Sequence, residues 1–293
     1  MAEFSDHHAA TNAENVVHTS DTKLASHVDI SYLKCTVAYD GSHFNGWQRQ
    51  RNQRTVQGEI ENVLVKIAGQ PVPIQCAGRT DSGVHAVGQV FSCIWPGPFP
   101  KRLRHALSQI LAPNIRVTSI EEVSPDFNAR FSATGKRYWY TFEFSKEPTP
   151  FTASYAWHVP YKIDLELLNS ILPRLIGRHD FVGFESTGSQ MKTTVRTLHD
   201  LRFCPGGFLN VPEPHNLYRL EFYGDAFLYK MVRNISGTLI EIARGRFSPD
   251  IIDTFLQSKG PFKGYCAPAH GLVLFEVEYD GSRTSHVQRS NSI

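Results

Sequence analysis

Between residues 30 and 280 the hydrophobic periodicity alternates between two and 3.6 residues, in an order that occurs twice. In the first pass "LKCTVAYD" (33–40) alternates as a strand. Thr55 then caps a helix whose apolar residues Ile60, Val63, Leu64 and Ile67 fall on one face, and Gly69 ends it. "VPIQCAG" and "HAVGQVFSCIW" read as strands flanking a turn, "GPFPKRLRHALSQIL" as a helix opened by proline, and "IRVTSIEEV" as a strand. The second pass begins with the strand "KRYWYTFEFS" (136–145) and the helix "DLELLNSILPRLIG" (164–177), which Pro173 bends. Strands in "VRTLHDLRFC" and "LYRLEFYG" follow, then the long helix "AFLYKMVRNISGTLIEIAR", a short helix after Ser248-Pro249, and the strand "GLVLFEVEY". Each pass is a split β-α-β-β-α-β unit, the second with one extra helix.

This order predicts an α+β protein. Two related halves, 30–135 and 136–280, form a mostly antiparallel sheet with helices packed on it and a cleft between the halves. Residues 1–29 and 281–293 are rich in Ser, Thr, His, Asn and Asp without periodicity, and are expected to be disordered tails.

Composition narrows the function. With 41% hydrophobic and 20% charged residues the chain has material for a sizeable core. No apolar run approaches the roughly 20 residues that cross a bilayer, and none has signal-peptide length near the N-terminus. The expected location is the cytoplasm. Five cysteines without a C-x-x-C pair fit a reducing compartment, and the 13 histidines show no ligand motif, so no metal is expected. The formal charge of +2 conceals an acidic N-terminal tail, which leaves the core about +4. That alone does not specify a polyanion ligand, but the basic residues cluster with aromatics in "WQRQRNQR", "KRLRH", "GKRYWY", "KMVRN" and "ARGRF".

The segment "AGRTDSGVHA" (77–86) holds the most suggestive carboxylate. On extended backbone Arg79 and Asp81 project to the same side, and a carboxylate beside guanidinium groups stays ionised. It is a candidate nucleophile, general base or ligand. Asp-Ser-Gly is also the core of aspartic proteases, but those need a second copy so that two carboxyls share a proton. This chain has none, and an adjacent arginine disfavours the shared proton. In "ARFSATGKRYWYTF" (129–142), Lys136 and Arg137 stand beside Tyr138, Trp139 and Tyr140, a combination suited to phosphates and unstacked bases. Alternation puts Tyr138 and Tyr140 on one face and Trp139 on the other, where it serves equally well as a core ring. In "FLYKMVRNISGTL" (227–239) the apolar stripe is core, Arg233 lies off it, and Gly237 permits close approach to the helix.

Taken together, "VAYDGSHFNGWQRQ", "GRTDSGVHA", "NARFSATGKRYWY", "FLYKMVRNISGTLIEIARGR" and "APAHGLVLFEVEY" resemble, in order and across residues 33–279, the tRNA pseudouridine synthase A (TruA) family, in its bacterial form. The chain departs from it in its long polar N-terminal tail, in Pro173 and in the loop "LNVPEPHN"; none touches these motifs. The resemblance implies isomerisation of uridine to pseudouridine at positions 38, 39 and 40 of the tRNA anticodon arm. It implies a homodimer, and no cofactor. Asp81 becomes the nucleophile, attacking C1′ or C6 or acting on the C2′ proton. Tyr138 stacks on the everted uracil and is the candidate for taking the C5 proton; Arg233 pairs with Asp81; Arg79 fills the space the flipped nucleotide vacates or guides it inward. Leu272 and Leu274 wall the uracil pocket or are simply core. Arg49, Arg51, Lys101, Arg102, Arg104, Lys136, Arg137, Arg244 and Arg246 are the expected RNA contacts. Two rivals remain: a relative acting on other RNA uridines, and a non-catalytic binder with paired RNA-recognition-like modules. The latter lacks its glycine-containing motif here.

Overall fold

The computed structural model describes residues 29–188, 193–209, 216–257 and 264–280. The two tails, apart from Asp29, and most of the loop at 209–216 lie outside the described residues. The first pass yields β1 (Ser31–Tyr39), α1 (Val56–Ala68), β2 (Gln75–Cys76), β3 (His85–Trp95), α2 (Leu103–Leu111) and β4 (Ile115–Glu122). The second yields β5 (Ala133–Glu143), β6 (Trp157–His158), α3 (Leu165–Ile171), β7 (Gly177–Asp180), β8 (Val195–Pro205), β9 (Leu217–Gly224), α4 (Met231–Ala243), α5 (Ile251–Gln257) and β10 (Leu272–Tyr279).

The strands form one sheet in the order β4-β1-β3-β10-β5-β9-β8-β7, with β2 beside β3 and β6 beside β5. The pairings are antiparallel except β3–β10 and β5–β6. The β3–β10 seam joins strands from the two passes through only two residue pairs, Val273 with His85 and Leu274 with Ala86. The chains stay close on either side of that ladder: a Cβ on Gly88 would stand 2.3 Å from the Phe275 carbonyl oxygen, and one on Gly83 would stand 3.3 Å from the Ala269 Cβ. The alternation of β1 buries Leu33, Cys35, Val37 and Tyr39 on one face. Thr55 Oγ accepts the Gly58 N–H to cap α1, and Gly69 closes it at φ 72°. All five cysteines are free, and Cys35 and Cys93 are buried.

α4 is buried along its length, including its polar residues Asn234, Ser236, Thr238 and Glu241. It begins at Met231, five residues later than the periodicity predicts. The cause is local: Asp225 Oδ1 accepts the N–H groups of Ala226 and Thr197, which ties this segment to β8, and Lys230 turns through φ 61°. Pro173 ends α3 rather than bending it. With no N–H to continue the ladder, the chain passes into a 3-10 turn at Leu172–Leu175. "VPIQCAG" forms a strand only at Gln75–Cys76, since Pro71 and Pro73 donate no hydrogen bond before it.

The 265–267 segment crosses α4 at Gly237, where a Cβ would stand 1.8 Å from the Tyr265 carbonyl oxygen. The contact is backbone against backbone, so no rotamer change relieves it. Gly237→Ala should destabilise the fold by about 3 kcal/mol, read as a lower urea midpoint at unchanged slope. A variant within about 0.5 kcal/mol of wild type would show that this approach is not tight.

Candidate active site

Arg79, Thr80 and Asp81 run as extended chain. Thr80 points inward and bonds Tyr39 through its hydroxyl at 2.7 Å, so its neighbours on both sides turn outward. The Asp81 carbonyl accepts the Val84 N–H at 3.1 Å, closing a turn in which Gly83 takes φ 79°. This turn is clamped from below. The Trp47 N–H donates to the Thr80 carbonyl at 3.0 Å, and Ser82 Oγ donates to the Phe44 carbonyl at 3.2 Å. Gly46 makes the clamp possible: its φ is 82°, and a Cβ there would lie 2.8 Å from Thr80 O.

Asp81 Oδ2 meets Arg233 Nη1 at 2.7 Å, although the two are far apart in sequence. Arg233 is aimed by a second bond, from Nε to the Ala267 carbonyl at 2.8 Å. The Arg233 carbonyl in turn accepts the Ala267 N–H at 3.1 Å. A rigid core helix thus presents a guanidinium whose direction is fixed before any substrate arrives. Among the described residues no hydrogen bond reaches Asp81 Oδ1, which leaves one carboxylate oxygen free to react. The carboxylate is 23% exposed, so it is accessible without being bathed in water.

Asp81, Arg79, Tyr138, Leu272 and Arg233 line one open cleft of about 1730 Å³. Tyr138 is 8% exposed and packs edge-on against Phe227, with ring centroids 5.0 Å apart. Burial raises the Tyr138 hydroxyl far above its ordinary value, and the negative charge of Asp81 adds to the effect. Arg79 is exposed on the rim.

Several expected contacts are placed otherwise. Lys136 and Arg137 point to opposite faces of β5. Lys136 lines the cleft, but its ammonium donates to the Ala77 carbonyl at 2.8 Å, bracing the segment that leads to Asp81. Burial lowers its pKa to about 8. Arg137 is taken up by Glu278 at 2.8 Å and stacks 3.9 Å over the Tyr223 ring, so it is not a free phosphate contact. Trp139 shares that outer face, stacked at 3.9 Å on Phe275. Leu274 is fully buried and does not reach the cleft, whereas Leu272 does. Arg244 and Arg246 pair with the buried Glu241, and Arg49 with Glu61 at 2.9 Å. Arg51, Lys101, Arg102 and Arg104 are exposed and lie outside the cleft lining.

One group of polar residues behind the site escapes a reading by motif. His85, the first residue of β3, is buried. Its Nδ1 accepts the Gly41 N–H at 3.0 Å, and its Nε2 faces the Ser154 and His270 carbonyls at 2.9 and 3.1 Å. The Tyr155 hydroxyl donates to Asp40 at 2.8 Å. The bond to His270 ties the start of β3 to the segment that leads into β10, and the bonds to Ser154 and from Tyr155 tie the 154–155 segment to β3 and Asp40. The signal was a lone histidine opening an otherwise apolar strand, four residues after Asp81.

A sequence model of the family described as tRNA pseudouridine synthase matches residues 36–132 and 171–280. The chain is 42% identical over 252 residues to tRNA pseudouridine synthase A of Bacillus pumilus, spanning 85% of this chain and 99% of that protein. It is 40% identical over 252 residues to the protein of the same name from Bacillus licheniformis and 38% identical over 252 residues to that from Bacillus subtilis, in both cases spanning 85% of this chain and 99% of the relative.

Proposed function

The chain belongs to the tRNA pseudouridine synthase family, and from that premise we propose that it isomerises uridine to pseudouridine at positions 38, 39 and 40 of the tRNA anticodon arm. The Asp81–Arg233 ion pair, facing a cleft floored by Tyr138, is the observation that carries this reading. The reaction breaks the N1–C1′ bond, turns the uracil, forms a C5–C1′ bond and exchanges the C5 proton for one on N1. No atoms or electrons are gained or lost, so the chemistry requires no redox partner. It requires an anionic side chain at the sugar or ring, a wall that holds the detached uracil, and a nucleotide drawn out of its stack.

In this reading Asp81 Oδ1 attacks C1′ or C6, or takes the C2′ proton, while Arg233 holds Oδ2. Leu272 and Tyr138 retain the uracil between steps. Arg79, exposed on the rim, follows the nucleotide inward. Residues 30–135 supply the carboxylate and 136–280 supply the guanidinium and the aromatic floor, so the reaction occurs where the halves meet. The protein acts in the cytoplasm as a homodimer. A purely RNA-binding role would leave the Asp81–Arg233 pair without a purpose. Carbodiimide labelling of the product followed by reverse transcription locates pseudouridine: stops at positions 38 to 40 support the reading, and stops elsewhere assign the chain to another uridine.

Tyr138 enters the reaction protonated, so it accepts the C5 proton only after losing its own. Tyr138→Phe should bind tRNA as wild type does, since the ring remains, and should lose turnover at the step after the uracil is rejoined. A near-normal rate would limit the residue to stacking.

The exposed Arg51, Lys101, Arg102 and Arg104 remain the phosphate contacts. A surface making four such contacts loses about 10²-fold in affinity between roughly 50 and 200 mM salt. Filter binding across that range should show a steep linear fall in log affinity. A flat response would remove these residues from the interface.

A further inference from the structure

Two aromatic–cation pairs on the cleft wall have no part in the chemistry above. Phe131, in the turn before β5, is 75% exposed, and the Arg130 guanidinium lies 5.5 Å from its ring. Tyr229, just before α4, is 41% exposed, with Lys230 Nζ 5.0 Å from its ring. All four residues line the cleft that holds Asp81. Among the described residues neither ring packs against another aromatic. Exposed single rings also occur outside the cleft, at Phe151 and Tyr161; what sets these two apart is that each lines the cleft beside a cation.

Lys230 supplies an independent observation. Its backbone is left-handed, φ 61° and ψ 8°, a conformation that glycine adopts freely and a side chain only under strain. Backbone geometry alone favours glycine at this position. A lysine nonetheless stands there, its ammonium over the Tyr229 ring and both residues lining the cleft. The cleft, at about 1730 Å³, also exceeds what one uracil nucleotide fills.

We propose that Arg130–Phe131 and Tyr229–Lys230 are stacking platforms for the bases flanking the everted uridine, the rings taking base faces and the cations the adjoining phosphates. The inference rests on the uridine-everting function proposed above. Drawing one nucleotide out of its stack strips its neighbours of a stacking partner on the side it leaves. An exposed ring beside a positive charge replaces both what the base loses and what the phosphate repels. Such platforms accept any base, because every base has a π-face. The chain would therefore tolerate varied sequence around its target.

The test uses the full chain, a stem–loop RNA of anticodon-arm sequence, and the same RNA with an abasic residue next to the target uridine. Pseudouridine formation by wild type on the intact stem–loop is measured first; its absence removes the underlying function and the proposal with it. With formation established, Phe131→Ala and Tyr229→Ala should each weaken binding about tenfold, with more of the loss in KM than in kcat. Phe131→Trp should restore it. The abasic residue should cost wild type a similar factor and cost the variant at the matching platform little more. Lys230→Gly should melt no lower than wild type yet bind more weakly and with a shallower salt slope. Binding within about twofold of wild type in both alanine variants overturns the proposal, as does a full abasic penalty in each. Sedimentation of either variant as a smaller species also overturns it, since the ring would then belong to a contact between copies of the chain.

Discussion

Asp81→Ala should abolish pseudouridine formation, lowering single-turnover rate on the order of 10⁴-fold or more, while tRNA affinity stays within a few-fold of wild type. The separation of rate from affinity follows from where the carboxylate sits. It contributes one small side chain to a cleft wall of about 1730 Å³, and the exposed cations lie elsewhere. The fold should tolerate the change. The turn is held by backbone bonds from Trp47 and Val84 and by the Thr80–Tyr39 hydroxyl pair, none of which uses the carboxylate. Stopped assays on tRNA under enzyme excess measure the rate, and gel-shift titration measures the affinity. Product formation within tenfold of wild type would take the nucleophile role away from Asp81.

Arg233→Met should lower kcat about 10³-fold with a smaller change in KM. Two losses combine. The charge opposite Asp81 Oδ2 disappears, and so does the bond to Ala267 that aims it. Arg233→Lys should recover only part of the rate, since an ammonium cannot serve Asp81 and the Ala267 carbonyl with the same planar geometry. The decisive comparison is the double variant. If Arg233 acts through Asp81, then Asp81→Ala with Arg233→Met should be no slower than Asp81→Ala alone. Additive losses would mean that the guanidinium touches the substrate independently. A kcat within tenfold of wild type for Arg233→Met would show that the ion pair is merely structural.

Much of the architecture can be read from periodicity because each element carries its own punctuation. Thr55 and Gly69 bracket α1, and the alternation of β1 survives intact as buried and half-exposed positions. The reading fails where a tertiary bond overrides a local preference. "AFLY" has helical spacing, but Asp225 captures its first N–H and Lys230 reverses the chain, so the helix starts at Met231. The site divides in the same way. The outward projection of Arg79 and Asp81 follows from strand geometry, and Gly237 marks a close crossing. No spacing rule could bring Arg233 to Asp81, because that contact depends on the β3–β10 seam, which is made of only two residue pairs. The basic clusters mislead for a related reason. Composition counts positive charges, whereas Arg137, Arg244 and Arg246 are already bound to Glu278 and Glu241. Lys136 likewise serves the Ala77 backbone rather than a phosphate.

The chemistry proposed for Asp81 exchanges a proton at one identifiable carbon. Wild-type protein given tRNA tritiated at uracil C5 should release tritium to water in step with pseudouridine formed, from sites at positions 38 to 40 only. No release, or release from uridines elsewhere in the tRNA, would contradict an Asp81-centred isomerase of the anticodon arm.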